Sequence, residues 1–521
     1  MAMDLSDELA RFTSDPTLPK WVAEVAGRLV NEAQKTARLN AELHTAKIKI
    51  EALTLELAHH RRMRFGAKAE ALSTEQRDLF QETWESDLAE LEARVDAQVE
   101  VSTPKAKRAR AGRQPLPAHL ERIVYRHEPD SCTCGKCGGA LVKIGEDVTE
   151  QLDVVPARFF VNQHIRPQYA CRPCETITAA IIEPAIIDGG MAATGLLTWI
   201  AVSKFVDHLP TYRLEQIAAR SNVPLPRSNM AEWIGRVGVA LQPLVDRLAH
   251  LQRQRGALHA DETPVAQLDP GKGKTKKAYL WAYRTSDLDE GPPIVVFDYQ
   301  PGRSGQFARD YLLNWQGHLM VDDFSGYKAL FRAGVVELGC WAHARRKLFD
   351  LHATNKSPIA ERALEWIATL YGIEKAGKDL DVAARLQLRQ RETTPVLKAF
   401  EEWLSKVRVT VAPGSGTAKA LDYTIRRWPA LTCYAASGNL PIDNNPVENT
   451  IRPIAIGKKN WLYAGSERAG KRADAIQSLL GTAKLNGLDP YAWLKSTLDK
   501  LPTCRNSDID DLLPFRRVNP T

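Results

Sequence analysis

Two Cys-x-x-Cys pairs constrain the fold of this chain more than any other feature. The segments "CTCGKCGG" and "YACRPCE" hold the pairs, which are separated by residues 138–170. Four thiolates carried on two tight knuckles suit a tetrahedral structural Zn²⁺, and cysteines clustered in this way indicate a metal site rather than a disulfide framework. The predicted ligands are Cys134, Cys137, Cys171 and Cys174. Cys132 is a spare thiol that could replace Cys134.

The residues between the knuckles predict strands. "EDVTEQLDVV" and "ARFFVNQHIRPQYA" have the composition of two paired strands, as in a zinc ribbon. Such a closed four-sulfur site has no open position for a substrate. It therefore indicates folding and binding rather than catalysis.

Length and charge set broad limits. A chain of 521 residues is too long for one core, so three or more domains are expected. The net charge of +7 permits a polyanionic partner without requiring one. The start "MAMDLSDELARF" lacks the apolar region of a signal peptide. Ala179 to Val202 is the most apolar stretch, but Glu183, Pro184 and Asp188 interrupt it, so no membrane span is predicted and the cytoplasm is expected.

A heptad pattern runs through the N-terminal region. Its positions recur at alternating three- and four-residue steps, which predicts a coiled coil and therefore a dimer or a larger homo-oligomer. A long amphipathic helix packed on its own protein would give the same pattern. The series is Val22, Val25, Leu29, Glu32, Thr36, Leu39, Leu43, Ala46, Ile50, Leu53 and Leu57, with Glu32 and Thr36 as weak members.

A basic segment follows an acidic stretch from Asp78 to Glu100. The sequence "STPKAKRARAGRQP" has the composition of a flexible linker, and such an arm binds phosphates without reading base sequence. A solvated linker explains the same residues. The basic residues are Lys105, Lys107, Arg108, Arg110 and Arg113.

A helix-turn-helix pattern lies in "TYRLEQIAARSNVPLPRSNMAEWIGRVGVAL". It predicts a helix, a turn at Asn222 to Pro226, and a second helix capped by Ser228. Arg227, Ser228 and Asn229 would then stand where a recognition helix meets base edges. A plain helical hairpin remains an equal interpretation.

The region after residue 256 changes to strands. "GALHADETPVAQL", "KAYLWAYRT" and "PIVVFDYQ" predict three strands, and "SGQFARDYLLNW" predicts a helix. "GHLMVDDFSGY" predicts a fourth strand that ends in two aspartates, and "VELGCWAHARRKLFDL" a fifth strand running into a helix. This order is typical of a ribonuclease-H-like α/β fold.

Strand alternation selects between neighbouring carboxylates. Asp261 lies on the more polar face of its strand and Glu262 on the apolar face, and Asp322 and Asp323 divide in the same way. We therefore predict Asp261 and Asp322 as ligands. Two aspartates on adjacent strands could hold two Mg²⁺ or Mn²⁺ ions that serve an in-line phosphoryl displacement.

Glu448 is the candidate for the third carboxylate. If Asn445 caps a helix and Pro446 takes its first position, Glu448 stands where a capping box has its acid, so a structural role explains it equally well. Basic residues follow, and they fit phosphate contacts as well as a solvated face. They are Arg452, Lys458 and Lys459.

Long motifs in the chain resemble one family. "HADETPV", "VDDFSGY", "CWAHARRK" and "DNNPVENTIRPIAIGKKNWLYAGS" are similar to the DDE transposases of the insertion-sequence sixty-six family, and the resemblance covers nearly the whole chain after about Arg110. It implies that Asp261, Asp322 and Glu448 form the metal-binding triad. It also implies a helical insertion before Glu448, and residues from Trp341 to Leu440 have helical patterns.

The chain departs from the family pattern at three positions. Asn449 stands where Arg is common, Asp323 stands where Gly is common, and Cys132 is an added thiol. Asp323 therefore leaves the second metal ligand open between itself and Asp322. The resemblance also suggests DNA contacts for residues of "CWAHARRK", although a core-edge histidine with surface arginines would look the same. These residues are His343, Arg345 and Arg346.

The resemblance implies a bacterial, nucleoid-associated transposase that cleaves DNA at element ends and joins it to target DNA. Its partners would be terminal inverted repeats, target DNA, a second subunit and companion proteins of the element. A zinc-containing DNA-binding regulator without catalysis, or a metal-dependent nuclease that does not join DNA, are the alternatives. The predicted domains are 1–62 (coiled coil), 63–114 (linker), 115–180 (zinc-ribbon-like), 181–250 (helix-turn-helix-like), 251–350 (core, first part), 351–440 (helical insertion), 441–480 (core, second part) and 481–521 (helical tail).

Overall fold

The structure is a computed structural model. It describes residues 116–129, 131–155, 158–181, 183–269, 272 and 274–516, and scattered positions between 21 and 50. The chain divides into two units, Met1–Gln114 and Pro115–Thr521.

The described positions of the first unit are helical. Five apolar residues of the predicted seam are more than 40% exposed there: Val25, Leu29, Leu39, Leu43 and Ile50. The end of the seam, the acidic stretch and the basic cluster from Lys105 to Arg113 lie outside the described residues.

A four-stranded sheet opens the second unit. Its strands are β1 (Arg122–Arg126), β2 (Val142–Val155), β3 (Arg158–Cys171) and β4 (Thr176–Ala179). β3 pairs antiparallel with β2 and β4 and parallel with β1. The two strands predicted between the cysteine pairs are therefore confirmed as β2 and β3.

Fourteen α-helices are described in the second unit. Those before and within the second sheet are α1 (Thr194–Phe205), α2 (Thr211–Arg220), α3 (Arg227–Gln252), α4 (Gly305–Leu312) and α5 (Lys328–Arg332). Those of the insertion are α6 (Trp341–Asn355), α7 (Pro358–Ala376), α8 (Val382–Leu388), α9 (Thr394–Arg408), α10 (Gly416–Arg426) and α11 (Trp428–Thr432). The last three are α12 (Asn445–Trp461), α13 (Glu467–Leu485) and α14 (Pro490–Lys500).

The far end of the first sheet is built into the main hydrophobic core. Leu152 and Val161 pack in one cluster with Leu196 of α1 and Leu494 of α14. The Tyr491 hydroxyl donates to the Val154 carbonyl at 3.1 Å. Because apolar burial is the main stabilising term in folding, the cysteine-bearing sheet is held by this core at the end away from its thiols.

The helical stretch after the first sheet forms a helix, a turn and a second helix, as predicted. α3 begins at Arg227, and its N-cap is Pro226 without a side-chain hydrogen bond. The predicted cap at Ser228 is therefore wrong, because Pro226 already has the extended backbone that enters the helix and Ser228 lies inside its first turn. Arg227 pairs with Glu215 of α2, with 2.9 Å between Nε and Oε2.

A five-stranded mixed sheet forms the centre of the second unit. Its strands are β5 (Ala257–Asp269), β6 (Lys274–Thr285), β7 (Val295–Gln300), β8 (His318–Val321) and β9 (Val336–Gly339). The order is β7-β6-β5-β8-β9, with antiparallel pairs up to β5 and parallel pairs beyond it. All five predicted strands are confirmed, although β8 ends at Val321, just before the two aspartates.

Helix α13 covers the outer edge of β7 with polar side chains. Residues four apart on α13 accept hydrogen bonds from alternate backbone N–H groups of the strand: Asp474 from Tyr299 at 2.6 Å, Ser478 from Phe297 at 2.8 Å and Thr482 from Val295 at 3.1 Å. An added Cβ at Gly470 would lie 2.4 Å from the Tyr299 ring, so glycine permits the close approach. The helix thereby satisfies donors that an edge strand leaves free.

The segment from Trp341 to Leu440 is mostly helical, as predicted, and its core is continuous with the sheet. Ala257, Met320 and Leu338 of β5, β8 and β9 share a hydrophobic cluster with Trp341 and Phe400 of the insertion. Arg427, which joins α10 to α11, is 5% exposed and pairs with Asp323 and Glu337. The insertion is therefore packed on the sheet beside the aspartates.

Within the described part of the chain, no helix combines the length and apolarity needed to cross a lipid bilayer.

Candidate metal and catalytic sites

Four cysteine sulfurs converge at one end of the first sheet. Their Sγ atoms lie within 4.8 Å of one another, and the Cys134–Cys174 and Cys137–Cys171 separations are 3.2 and 3.3 Å. Thiolates at about 2.3 Å from one Zn²⁺ stand about 3.8 Å apart in a tetrahedron, so a small expansion fits the ion. Cys132 is exposed and outside the group, so Cys134 holds the position.

A hydroxyl group stabilises the thiolate form of one of these cysteines. Thr176 Oγ1 donates to Cys174 Sγ at 3.3 Å. This hydrogen bond, together with those from neighbouring thiols, lowers the pKa of Cys174 to about 6. A metal takes the thiolate form, so the donor set suits structural zinc.

Asp261 and Glu262 lie on opposite faces of β5. Glu262 is buried and ion-paired, with 2.5 Å between its Oε1 and Arg303 Nη2, and it accepts from the Tyr327 hydroxyl at 2.9 Å. Asp261 instead accepts a backbone hydrogen bond from Glu262 N at 2.8 Å and has no cation paired with it among the described ion pairs. Glu262 is thus engaged in structure, and Asp261 is the carboxylate left for a ligand role.

The two aspartates after β8 also separate. Asp323 faces cations, at 3.2 Å from Arg427 Nη1 and 3.5 Å from Lys328 Nζ. Asp322 accepts from Phe324 N at 2.8 Å, and its charge acts on Asp261. Of the two, Asp322 is therefore the one whose charge is directed toward Asp261.

Glu448 lies in the first turn of α12 and faces His343 of α6. Its Oε1 is 3.7 Å from His343 Nδ1. The predicted capping box is wrong: the helix begins at Asn445, its N-cap is Asn444, and no side chain caps it. The reason is that Asn445 binds Asp443 through both its backbone and side-chain nitrogens, at 3.1 and 2.8 Å. Glu448 is thus free of the cap.

Asn444 locks the start of α12 to β5. Its Nδ2 donates to the Ala260 carbonyl at 3.0 Å, which leaves its Oδ1 facing His259 Nδ1 at 3.0 Å. His259 must therefore carry its proton on Nδ1. Burial lowers the pKa of His259 to about 4, so the ring is neutral. The buried pair fixes the helix that carries Glu448 against the strand that carries Asp261.

Burial and neighbouring acids act on Asp261. Burial raises the pKa of Asp261 to about 8, and the charges of Glu262, Asp322 and Glu448 add to the increase. The three carboxylates do not form a set whose ligand atoms all lie within 4.8 Å, unlike the four cysteines. Acidic oxygens that repel one another without a cation are a donor set for hard divalent ions such as Mg²⁺.

The predicted phosphate-binding residues of the second unit differ in exposure and contacts. Arg345, Arg346, Arg452 and Lys459 are exposed. Lys458 donates to the Pro264 carbonyl at 3.0 Å, so it joins α12 to β5.

Several residues of the site carried no recognisable signal in the sequence. Asn444 precedes the predicted cap in "DNNP", and Arg427 and Arg303 lie in segments without a motif. His259 had a signal, since it is two residues before Asp261 on the same face of a strand.

Comparisons with known families agree along the chain. Residues 189–472, more than half of the chain, match the family described as transposase IS66 family. Residues 131–175 match the zinc-finger binding domain of transposase IS66, and residues 478–515 match the IS66 C-terminal element. Residues 52–124 match a domain described as transposase C of IS166 homeodomain.

Similar proteins occur in Sinorhizobium fredii, where each is named as uncharacterized. Protein y4qI is 36% identical over 94% of this chain and 93% of its own length. Protein y4jD is 35% identical over 89% of this chain and 94% of its own, and protein y4hP is 30% identical over 90% and 88%. The family match and this coverage show that the chain belongs to the IS66 family of transposases.

Proposed function

We propose that this protein is a DDE-type DNA transposase that cleaves the ends of its insertion sequence and joins them to target DNA. The observation that carries the proposal is the placement of three acids from distant segments: the charges of Asp322 and Glu448 both act on buried Asp261. Buried structural acids are normally paired with a cation, as Glu262 and Asp323 are here, whereas the described ion pairs include neither Asp261 nor Asp322.

The sheet supports a ribonuclease-H-like core. Numbered from β5, its strands have the order 3-2-1-4-5, with the first three antiparallel and the last two parallel to the first. Asp261 lies on the central strand β5, and Asp322 follows its parallel neighbour β8. Helix α12 packs on β5 through Val447 and Val265. Val265 is on the same face of the strand as Asp261, four residues earlier.

Each acid has a defined role in this proposal. Two Mg²⁺ or Mn²⁺ ions bound there would stabilise the attacking and leaving oxygens of an in-line phosphoryl displacement. Asp261 and Asp322 would hold the ions from the sheet, and Glu448 from α12. Asn444 and His259 would keep the helix in place while DNA binds.

Contacts to DNA would come from several parts of the chain. Exposed Arg345 and Arg346 on α6, and Arg452 and Lys459 on α12, stand on the two helices that meet at Glu448, where they would bind phosphates. The zinc-bearing sheet, Arg227 in its helix-turn-helix and the basic residues from Lys105 to Arg113 are proposed to hold the terminal repeats. Lys458 would act indirectly by positioning α12.

Self-association completes the proposal. The exposed apolar residues from Val25 to Ile50 recur at heptad spacing, which favours a coiled coil that pairs two subunits and hence two DNA ends. Since the substrate would be chromosomal DNA, we expect the protein in the bacterial cytoplasm with the nucleoid. The domain boundaries derived from sequence remain predictions.

Nicking of DNA duplexes that carry the element's terminal repeats tests the proposal. We expect cleavage that requires Mg²⁺ or Mn²⁺, and Asp261→Asn should abolish it while leaving DNA binding intact. Asp298→Asn is a matched control, since Asp298 is a half-buried acid on β7 outside the triad. Cleavage that survives Asp261→Asn would contradict the catalytic role.

Two further outcomes identify the alternatives. Specific binding without cleavage by any variant would favour a zinc-containing regulator. Cleavage without joining of the 3′ end to a second duplex would favour a nuclease. A strand-transfer assay with labelled element ends separates the nuclease from the transposase.

A further inference from the structure

A thiol and an imidazole stand beside the third carboxylate. Cys340 Sγ, a ring nitrogen of His343 and a Glu448 carboxylate oxygen all lie within 4.8 Å of one another. Cys340 directly precedes α6, and His343 lies in the first turn of that helix. Among the described residues, this group and the four cysteines are the sets with such close ligand atoms.

The contact between the imidazole and the carboxylate is not a hydrogen bond. His343 Nδ1 and Glu448 Oε1 are both buried, face each other at 3.7 Å, and have no hydrogen-bond partner. Buried polar atoms normally find partners. Nitrogen and oxygen ligands at about 2.1 Å from one tetrahedral ion stand about 3.4 Å apart, so the gap is near that of two ligands of one ion.

The sulfur is arranged to act as a third ligand. Cys340 Sγ accepts the backbone N–H of Asn444 at 3.2 Å, a hydrogen bond that favours the thiolate. Burial raises the pKa of the free thiol to about 12, so a bound cation is needed to hold the thiolate. The side chains of His343 and Glu448 are 28% and 21% exposed, which gives an ion a route from solvent. A sulfur, a nitrogen and an oxygen form a donor set for Zn²⁺ or Co²⁺, whereas Mg²⁺ prefers oxygen ligands alone.

We propose that Cys340, His343 and Glu448 form a second zinc site, which inhibits the enzyme by withdrawing Glu448 from the catalytic Mg²⁺ ions. The inhibitory part rests on the proposed function, while the zinc site does not. Because the two sites share Glu448, zinc and magnesium oppose each other's binding, and this coupling is reciprocal.

Zinc stoichiometry of the full-length protein tests the site itself. After equilibrium dialysis against micromolar Zn²⁺, we expect two ions per wild-type chain, one at the four cysteines and one at the new site. Cys340→Ser and His343→Ala should each bind one ion. Cys433→Ser is the matched control, because Cys433 is a partly buried cysteine outside both groups and should leave two.

Cobalt identifies the ligands. With Zn²⁺ kept at the four cysteines, Co²⁺ in the second site should give a sulfur-to-metal charge-transfer band that Cys340→Ser removes and Cys433→Ser keeps. Added Mg²⁺ should weaken Zn²⁺ binding in the wild type. We expect Cys340→Ser to lower zinc affinity by more than about tenfold, since even outer-shell partners of a metal change its affinity by about 10- to 100-fold.

The outcomes separate the two proposals. One zinc ion per wild-type chain, or two in both Cys340→Ser and His343→Ala, would overturn the second site. If one variant fails to fold, the other decides. In the nicking assay, added Zn²⁺ should slow the wild type at least tenfold. It should slow Cys340→Ser much less. If no protein nicks DNA, the proposed function fails, but the zinc count still tests the site.

Discussion

The substitution Asp261→Asn should stabilise the metal-free protein while it removes the proposed catalytic ligand. Burial and three neighbouring acids hold the pKa of Asp261 at about 8, against about 3.9 in an unfolded chain. Each pKa unit corresponds to about 1.4 kcal/mol, so the ionised carboxylate costs on the order of 5 kcal/mol of folding free energy at pH 8. The amide of the variant is neutral at every pH and would avoid this cost.

The sign of the pH dependence follows from the raised pKa. A carboxyl that binds its proton more tightly in the folded state favours folding at low pH, and this contribution is lost as pH rises from about 4 to about 8. The advantage of Asp261→Asn should therefore be small at pH 4 and grow by about 1.4 kcal/mol per pH unit up to about pH 8. Saturating Mg²⁺ should restore stability to the wild type and not to the variant.

Urea unfolding followed by tryptophan fluorescence measures this, because Trp281 is buried on β6 opposite Glu262. Buffers should lack divalent ions but contain no chelator, so that the cysteine-bound zinc stays in place. Glu262→Gln is the comparison, and its gain should be smaller than that of Asp261→Asn, because Arg303 and Tyr327 offset part of the burial that raises the pKa of Glu262. Equal stability of Asp261→Asn and wild type at pH 8 would refute the repulsion that supports the site.

Four further substitutions have defined outcomes. Asp322→Asn should abolish nicking, whereas Asp323→Asn should retain it. Asp323→Asn should lower the free energy of unfolding by at most about 1 kcal/mol, since Arg427 retains Glu337. Nicking assays and urea midpoints measure the two effects. Ser478→Ala should lower unfolding free energy by about 1–3 kcal/mol by leaving the Phe297 N–H unpaired, and unchanged urea stability would contradict the edge role. Cys174→Ser should lose one zinc ion per chain by mass spectrometry yet keep the far-UV circular dichroism of the core, because Leu152 and Val161 anchor the first sheet.

Periodicity in the sequence was sufficient to predict the strands and the sides of the carboxylates. The alternation that assigned Asp261 and Glu262 to opposite faces holds because β5 is regular through both residues. The same argument at Asp322 rested on a strand that ends one residue earlier. There the backbone turn and Arg427, rather than alternation, direct Asp323 away, and no local pattern reports that contact.

Helix starts were less predictable because the polar side chains at α12 bind groups other than the backbone N–H groups of the first turn. Asn445 is of a residue type that often caps helices, but its side-chain amide donates a hydrogen bond to nearby Asp443. Asn444, the actual N-cap, uses its side chain on β5. Local capping rules count only neighbours in sequence, whereas the partners of Asn444 depend on where α12 meets the sheet.

Long-range polar contacts also explain how a helical insertion can precede the third carboxylate without loosening it. Glu448 is 126 positions after Asp322 (448 − 322), and a flexible connection of that length would leave its position poorly defined. Arg427 ties the end of the insertion to the loop of Asp323, and Asn444 ties the start of α12 to β5. Both side chains are buried, where an unmade hydrogen bond costs most. Each contact therefore fixes the position of the insertion relative to the sheet. Glu448 follows four residues after the second contact, at Asn444.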